Sequence, residues 1–369
     1  MSGARADDRA GRALAAVLDR VTVTEAEVGS RFPLYADPRD GRWTTTGRGS
    51  WTGGFWAGLL WLRARRTGGE ADRRAAAEWT ARLAPWTEAD TATRGLILWY
   101  GTALALGDEA AGAEALRARA GRACADAYDP RAGLVPWGDA LGGPRLLARA
   151  DAVPGLVPLL ACAGPEGAAV AAAHLHRHLD LCLGPEGAAH PGRPRPAWRF
   201  DPETGWHPCE DPAPGWSRGE AWLLLAVADA LLRPEVAGHR PRRLADAAGQ
   251  LLERAGALTG PLVPPHEASR PRGPVDTSAA AITAVALLKL SLVPGPRAAA
   301  CADRAAAVLD RLAGAHLTAP GGGRPAGMLL DGCYDAAKGL AVRHELVWGD
   351  FFLALGLVAL GGLADLRRV

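Results

Sequence analysis

Two kinds of helical segment alternate along the 369-residue chain, and they differ in where their polar residues lie. Segments of the first kind carry Arg, Asp and Glu on one face and apolar residues at helical spacing on the other, a pattern that predicts amphipathic helices. Because only one face is apolar, these helices suit an outer layer. They span 7–20, 70–85, 108–128, 166–182, 236–257 and 297–315.

Segments of the second kind are apolar nearly all round, and each follows one of the amphipathic segments. A helix that is apolar on every face must be surrounded by other helices. These segments therefore suit an inner layer. They span 52–64, 93–106, 151–162, 217–231, 278–292 and 348–360.

The pairing of outer and inner helices recurs about every 60 residues, as in a helical-hairpin array. Six outer and six inner helices are enough to close into an all-α (α/α)6 barrel, and we expect one such domain over residues 1–369. An open solenoid is the alternative. Two longer connections, 184–215 and 260–275, carry little helical signal, and within the first, residues 197–205 predict a short strand and a turn.

Composition excludes several classes of function. The net charge of +2 gives no basic surface for nucleic acid, and no apolar run is long enough to cross a membrane. The first 20 residues have the charges of an amphipathic helix rather than the apolar core of a secretory signal, so we expect a cytoplasmic protein. The six scattered cysteines form no C-x-x-C pair and are interpreted as free thiols.

The heads of the apolar segments are rich in Gly, Trp and charged residues, as if they converge on one end of the barrel. Aromatic planes can stack on sugar rings, carboxylates can exchange protons, and an arginine fork can bind a sugar carboxylate. The sequence therefore predicts a carbohydrate site in a funnel at this end. Its candidate ligand-binding residues are Trp51, Trp56, Thr93, Trp216, Arg218, Trp222 and Asp276.

Asp151 is the first candidate for the chemistry, because it stands at the head of an apolar run that reaches Cys162. Free backbone N–H groups there favour its charge while apolar neighbours oppose it, which can poise an acid/base group. The alternative is a plain helix cap, and capping is also the alternative for Asp276. Arg218 could bind ligand or form a salt bridge with Asp276 or Asp350, and any of the tryptophans could be core.

Five motifs, in order, resemble the unsaturated glucuronyl hydrolases of glycoside hydrolase family 88, with the unsaturated rhamnogalacturonyl hydrolases as more distant relatives. The segment 216–222 (WSRGEAW) is similar to the family's Trp-Ser-Arg-Gly-Gln-Ala-Trp signature, and 345–352 (ELVWGDFF) is similar to its Leu-Ile-Trp-Gly-Asp-Tyr-Tyr run. The other three matching segments are 51–61 (WTGGFWAGLLW), 201–205 (DPETG) and 276–282 (DTSAAAI).

The resemblance implies an (α/α)6 barrel whose catalytic aspartate protonates the C4=C5 double bond of a terminal unsaturated uronic acid and activates water for addition at C5. By motif position that aspartate is Asp151, and no metal or organic cofactor is implied. The family's second aspartate, in a His-Asp-x-Gly-Phe head, falls on Thr93, with the histidine on Ala92. Asp90, one turn away, and Glu220, at the signature glutamine, are the candidate substitutes.

Three functions from different classes stay open at this point. The first is hydration of an unsaturated uronide with altered specificity, and the second is a barrel enzyme repurposed for a non-polysaccharide small molecule in a biosynthetic pathway. The third is a sugar-binding protein whose catalysis has lapsed. The expected partner is a small molecule or an oligosaccharide. With Thr93 unable to carry a negative charge, we expect little turnover of standard unsaturated glucuronyl disaccharides.

Overall fold

The computed structural model describes residues 2–186, 192–253 and 255–369, with side chains from residue 9 onward. In these ranges, five α-helices and one π-helical turn form an inner ring. They are α2 (Gly53–Thr67), the π-helical turn Gly95–Trp99, α5 (Leu156–Ala161), α7 (Ser217–Leu231), α10 (Thr277–Ser291) and α12 (Val347–Leu360).

Six helices lie outside this ring, and the short helix α8 (Pro234–Ala237) connects α7 to the next outer helix in the chain. Each outer helix packs its apolar face on inner elements, as the amphipathic pattern predicts. The outer helices are α1 (Ser2–Val28), α3 (Glu70–Ala81), α4 (Ala110–Asp126), α6 (Pro165–Leu183), α9 (Pro241–Glu253) and α11 (Ala298–Ala315).

The inner ring closes on itself. Each inner element contacts the next in chain order, and α12 contacts α2 to complete the circle. Aromatic side chains fill the axis, where Phe55 lies 5.4 Å from Phe351 and 6.3 Å from Trp222 between ring centroids. The predicted (α/α)6 barrel is therefore confirmed, and the open solenoid is excluded.

Two predicted inner helices are much shorter than the apolar pattern indicates. In the segment 93–106 only Gly95–Trp99 is helical, because the Thr102 hydroxyl donates to the Leu98 carbonyl at 2.6 Å and competes with helical hydrogen bonding. In the segment 151–162 the helix starts at Leu156, because Gly155 before it has a φ of 71°, outside the helical range.

The described residues also form two small sheets beside the barrel. The sequence predicted only one of their strands. The first has the order β2 (Trp43–Thr46), β1 (Phe32–Ala36), β7 (Leu340–Leu346), β6 (Gly332–Asp335), and the second has the order β3 (Leu147–Arg149), β4 (Ala197–Asp201), β5 (Gly205–Pro208). All pairs are antiparallel. The strand predicted within 197–205 is β4, while residues 187–191 of the same connection lie outside the described residues.

None of the described helices is both long enough and apolar enough to cross a membrane. The predicted cytoplasmic location stays a prediction.

Candidate functional site

A cavity of about 550 Å³ opens at the end of the barrel where the inner helices begin. Several inner elements and the loops before them contribute to its lining. Six of the residues predicted from the sequence line it together: Trp51, Thr93, Asp151, Trp216, Arg218 and Trp222. The predicted convergence of the helix heads is thus present in the structure.

Asp151 lies in a short 3-10 turn, Ala150–Ala152, directly after β3 and five residues before α5 begins. Its carboxylate is held by Arg149, with Nε to Oδ1 at 3.0 Å and Nη2 to Oδ2 at 3.2 Å. No side-chain cap is formed at the start of this turn or of α5. The capping interpretation is therefore wrong for Asp151, whose carboxylate instead lines the cavity.

The turn that carries Asp151 is fixed from behind by two hydrogen bonds. The Ala150 N–H donates to the Pro196 carbonyl at 2.8 Å, which extends the β3–β4 pairing into the turn. On the other side, His174 from α6 accepts the Val135 N–H at Nδ1 (3.0 Å), so its proton is on Nε2, which lies 3.3 Å from the Ala152 carbonyl. Burial, with His178 nearby, lowers the pKa of His174 well below its ordinary value, so the ring is neutral.

Arg218 lines the cavity, but its guanidinium is occupied by the protein. Nη1 lies 2.5 Å from Asp276 Oδ2 and 2.6 Å from the Cys333 carbonyl, and Nη2 donates to the Tyr334 carbonyl at 2.7 Å. The central carbon of the Arg218 guanidinium lies 5.0 Å from the centroid of the Trp216 ring. Of the alternatives left by the sequence, the salt bridge with Asp276 is the one observed.

Asp276 is fully buried behind Arg218 and does not line the cavity, so its predicted role in ligand binding is wrong. It caps α10 by accepting the N–H groups of Ser278 and Ala279. Burial raises the pKa of its carboxyl, but the Arg218 charge and the contacts of His266 and Ser278 outweigh burial and lower the pKa to about 2. The aspartate stabilises the helix head and positions Arg218.

The tryptophans divide between cavity wall and core. The Trp51 indole N–H donates to the Tyr334 hydroxyl at 3.0 Å at the cavity, where Trp216 and Trp222 also lie. Trp56 points to the other side of α2, where it packs against Trp79 at 5.8 Å, so placing it among the ligand-binding residues is wrong. The apolar pattern could not separate the two roles because every face of α2 is covered.

Thr93 occupies the position that the family resemblance gives to a second aspartate, and it lines the cavity. Its hydroxyl lies 2.9 Å from that of Thr91. Asp90 does not line the cavity, because its carboxylate turns to Arg145, whose Nε is 2.9 Å away. The structure therefore contradicts Asp90 as a partner of Asp151.

Glu220 is also outside the Asp151 cavity, in a separate crevice with Leu224 and Leu251. Its carboxylate contacts Arg193 Nη1 at 3.3 Å. Burial raises the pKa of Glu220 to about 7, and Arg193 only partly offsets it. Glu220 therefore does not lie beside Asp151, and the prediction that it acts as a catalytic partner of Asp151 is wrong.

Several cavity residues were missed by the sequence reasoning. Arg149 had a usable signal, since it precedes Asp151 by two residues in an extended segment and so lies on the same side. The others have no periodic pattern in the sequence: Tyr334 and Asp335 end β6, and Trp137, Asp211, His266, Glu267 and Lys338 lie in loops. No three His, Cys, Asp or Glu side chains among the described residues are placed to hold a metal ion.

The cavity combines a partly exposed carboxylate, an adjacent arginine fork and four indole side chains at the mouth of a closed helical barrel. Such a site can bind a sugar ring by stacking, hold an acidic group and exchange a proton with the ligand. Fold and site together define a helical-barrel protein with an acid/base pocket of the size and chemistry that a sugar requires.

Comparison with known proteins agrees with this description. No family model matches the chain. A curated relative, the unsaturated glucuronyl hydrolase of Bacillus sp. strain GL1, is 27% identical over 367 residues, covering 90% of this chain and 91% of its own. The motif resemblance to this family is thus confirmed over nearly the whole chain.

Solved structures of similar proteins have the same fold. The unsaturated glucuronyl hydrolase of Bacillus sp. GL1 superposes with a TM-score of 0.79 at 22% identity, covering 95% of this chain and 96% of its own. The enzyme from Streptococcus agalactiae gives 0.79 at 17% identity, covering 98% and 94%. The barrel is therefore the fold of the unsaturated glucuronyl hydrolases.

Proposed function

We propose that the protein hydrates the C4=C5 double bond of a terminal unsaturated uronic acid, with Asp151 as both proton donor and proton acceptor. The observation that carries the proposal is the placement of Asp151, a partly exposed carboxylate in an aromatic-walled cavity at the mouth of the barrel. The 27% identity to an unsaturated glucuronyl hydrolase supports the same reaction class.

The reaction needs one carboxyl group that works in both directions. Protonated Asp151 gives its proton to C4 while a water molecule adds at C5, and the water's proton returns to the Asp151 carboxylate. The product carries a hydroxyl and the ring oxygen on C5, so the ring opens to a ketone. Opening leaves C1 as a hemiacetal, which releases the aglycone as an alcohol. One water is consumed, and Asp151 ends the cycle protonated.

This chemistry suits a cavity in which neither predicted second carboxylate is present. An inverting glycosidase places two carboxyl groups about 6.5–9.5 Å apart, one as acid and one as base. Asp90 pairs with Arg145 and Glu220 lies in another crevice, so both predicted partners are lost. The other carboxylates that line the cavity, Asp211, Glu267 and Asp335, contact Lys338 or Arg270. Asp151 next to an arginine fork supports hydration of a uronide over displacement at an acetal.

Thr93 favours a second candidate, a hydratase of the same kind that acts on an enol ether outside polysaccharide breakdown. A threonine hydroxyl can donate a hydrogen bond but cannot carry negative charge near neutral pH. Its hydroxyl is engaged with Thr91, and no other predicted acid replaces the missing aspartate. Any step that uses a carboxylate at this position is therefore slower in this protein.

The test follows the ultraviolet absorbance of unsaturated glucuronyl disaccharides with wild type and with the Ala92→His/Thr93→Asp double variant. We expect wild-type turnover below about 1 s⁻¹, the lower end of the usual range, and a clear gain in the double variant. Measurable hydration by wild type supports the proposed function, and a rate within about 1–10³ s⁻¹ would in addition exclude the second candidate. If folded wild type and folded double variant both leave the absorbance of every unsaturated uronide unchanged, the proposed function is wrong.

A further inference from the structure

Arg149 is the one cation of the cavity whose fork faces the reacting carboxylate. It binds Asp151 with Nε and Nη2 only, and Nη1 has no hydrogen-bond partner among the described residues. Its guanidinium lies over the Trp137 ring at 5.1 Å, which leaves the edge of the planar group free. A guanidinium has a second pair of N–H donors, on Nη1 and Nη2, that can take another carboxylate bidentately.

The other cations of the cavity are already neutralised. Arg218 is bound to buried Asp276 and to two main-chain carbonyls. Lys338 Nζ lies 2.7 Å from Asp335 and 3.5 Å from Asp211. An acidic ligand that enters the cavity therefore finds its available donors on Arg149.

We infer that Arg149 binds the carboxylate of an acidic substrate through its free edge, and that this binding loads Asp151 with the proton it donates. The inference rests on the proposed function for the identity of the substrate as a uronate. Before binding, the Arg149 fork is hydrogen-bonded to one carboxylate, and such an ion pair favours the charged form of both partners. After binding, the same fork is shared by two carboxylates, and like charges close together favour protonation of one of them.

Asp151 is the carboxylate that shares the Arg149 fork with the incoming ligand, so it is the group placed to take up the proton. The titratable groups that face Asp151 and Arg149 from neighbouring elements are His178 on α6, Tyr334 on β6, Arg218 on α7, and Cys209, Asp211, His266, Glu267, Asp335 and Lys338 in strands and loops. Burial lowers the pKa of His178 to about 4, so this ring is neutral near pH 7 and supplies no proton. The proton comes from solvent, which reaches the partly exposed pair.

The consequence is that binding of an acidic sugar is coupled to proton uptake. A uronate carries its charge into the cavity and takes up about one proton, whereas a neutral sugar takes up none. Uronate binding therefore tightens as pH falls, by at most about tenfold per pH unit, over the range in which Asp151 is charged in the free protein and protonated in the complex.

The experiment is isothermal titration calorimetry of wild type with methyl glucuronide, a saturated uronate that cannot be hydrated, in buffers of different ionisation enthalpy. We expect uptake of roughly one proton per bound uronate and none with methyl glucoside. Asp151→Asn should bind the uronate with no proton uptake. Arg149→Met should bind it about tenfold or more weakly, whereas the matched control Arg145→Met, which removes an exposed arginine paired with Asp90, should bind it normally.

Three results would overturn the inference: no uronate binding to wild type, binding without proton uptake, or undiminished affinity in Arg149→Met. Because the saturated probe does not react, these results are separate from turnover. Hydration of unsaturated uronides without proton uptake on binding would reject the role of Arg149 and leave the proposed function standing. Proton uptake on binding without hydration of any unsaturated uronide would leave the role of Arg149 standing and reject the proposed function.

Discussion

Two arginine–aspartate pairs lie at the same end of the barrel, and they differ in every property that matters for function. The side chains of Arg218 and Asp276 are 3% and 0% exposed, and those of Arg149 and Asp151 are 23% and 19% exposed. The buried pair is hydrogen-bonded to four main-chain groups and to the Ser278 hydroxyl. Arg149 and Asp151 are hydrogen-bonded to each other, and both line the cavity.

The comparison shows how one pair of residue types serves two purposes. Charges removed from water must be fully compensated, and once they are, they hold their neighbours in one arrangement. Charges left partly in water can change partners or take up a proton at low cost. Arg218 and Asp276 therefore fix the helix heads that form the cavity, whereas Arg149 and Asp151 have the exposure that the proposed reaction needs.

The largest expected effect is on stability and comes from breaking the buried pair. Arg218→Met leaves the Asp276 charge buried without a partner and should lower the free energy of unfolding by about 3–5 kcal/mol. Arg149→Met, the matched change in the exposed pair, should cost about 1 kcal/mol or less. Urea denaturation of both variants measures the difference. Equal losses would show that the two pairs do not differ as the structure indicates.

The second expected effect extends the comparison to Glu220, a buried acid whose charge is only partly compensated by Arg193. The pKa of Glu220 is about 7 in the folded protein, so folding favours its protonated form. The unfolded state loses this proton first as pH rises, and stability should therefore fall between about pH 4.5 and pH 7, by up to about 3 kcal/mol. Above about pH 7 Glu220 is ionised in the folded protein as well, and the full loss of stability is present.

Glu220→Gln removes this titration and should make the protein more stable than wild type above pH 7. Thermal unfolding of both proteins at several pH values measures the effect. A Glu220→Gln variant whose stability follows the wild-type pH dependence would contradict the assignment.

The smallest expected effect tests how firmly the reactive pair is held. His174→Asn keeps an acceptor for the Val135 N–H but loses the donor to Ala152, and the loss of one hydrogen bond should lower kcat about fivefold with little change in KM. His174→Gln, which places a donor near the position of Nε2, should lose less. His176→Asn, on the same helix but without a hydrogen-bond partner in the described structure, is the control. A kcat loss as large in the control as in His174→Asn would remove the role of His174.

The barrel was predictable because apolar runs of helical length must be surrounded, and closing six of them into a ring is the compact solution. The place of Asp151 in the cavity was also predictable, because it stands where an apolar run begins. The shortened helices were not, because the Thr102 hydroxyl and the φ of Gly155 act locally inside runs that remain apolar. The apolar pattern indicates which residues are buried, but it does not indicate where the backbone leaves the helical conformation.

The errors about the two candidate acids have one cause, which is that proximity in sequence does not fix proximity in the cavity. Asp90 is three residues from Thr93 but turns to Arg145. Glu220 is two residues from Arg218 but lies on the opposite side of α7. The arginine partners of these two acids, Arg145 and Arg193, could be placed only by the folded structure.

The most direct test of the central claim is the steady-state rate of Asp151→Asn on the best unsaturated uronide that wild type consumes. Asparagine keeps the shape of the side chain but cannot donate and recover a proton, so kcat should fall by about 10²–10⁴-fold while the melting temperature stays near that of wild type. Turnover by a folded Asp151→Asn variant at the wild-type rate would show that another group carries the proton.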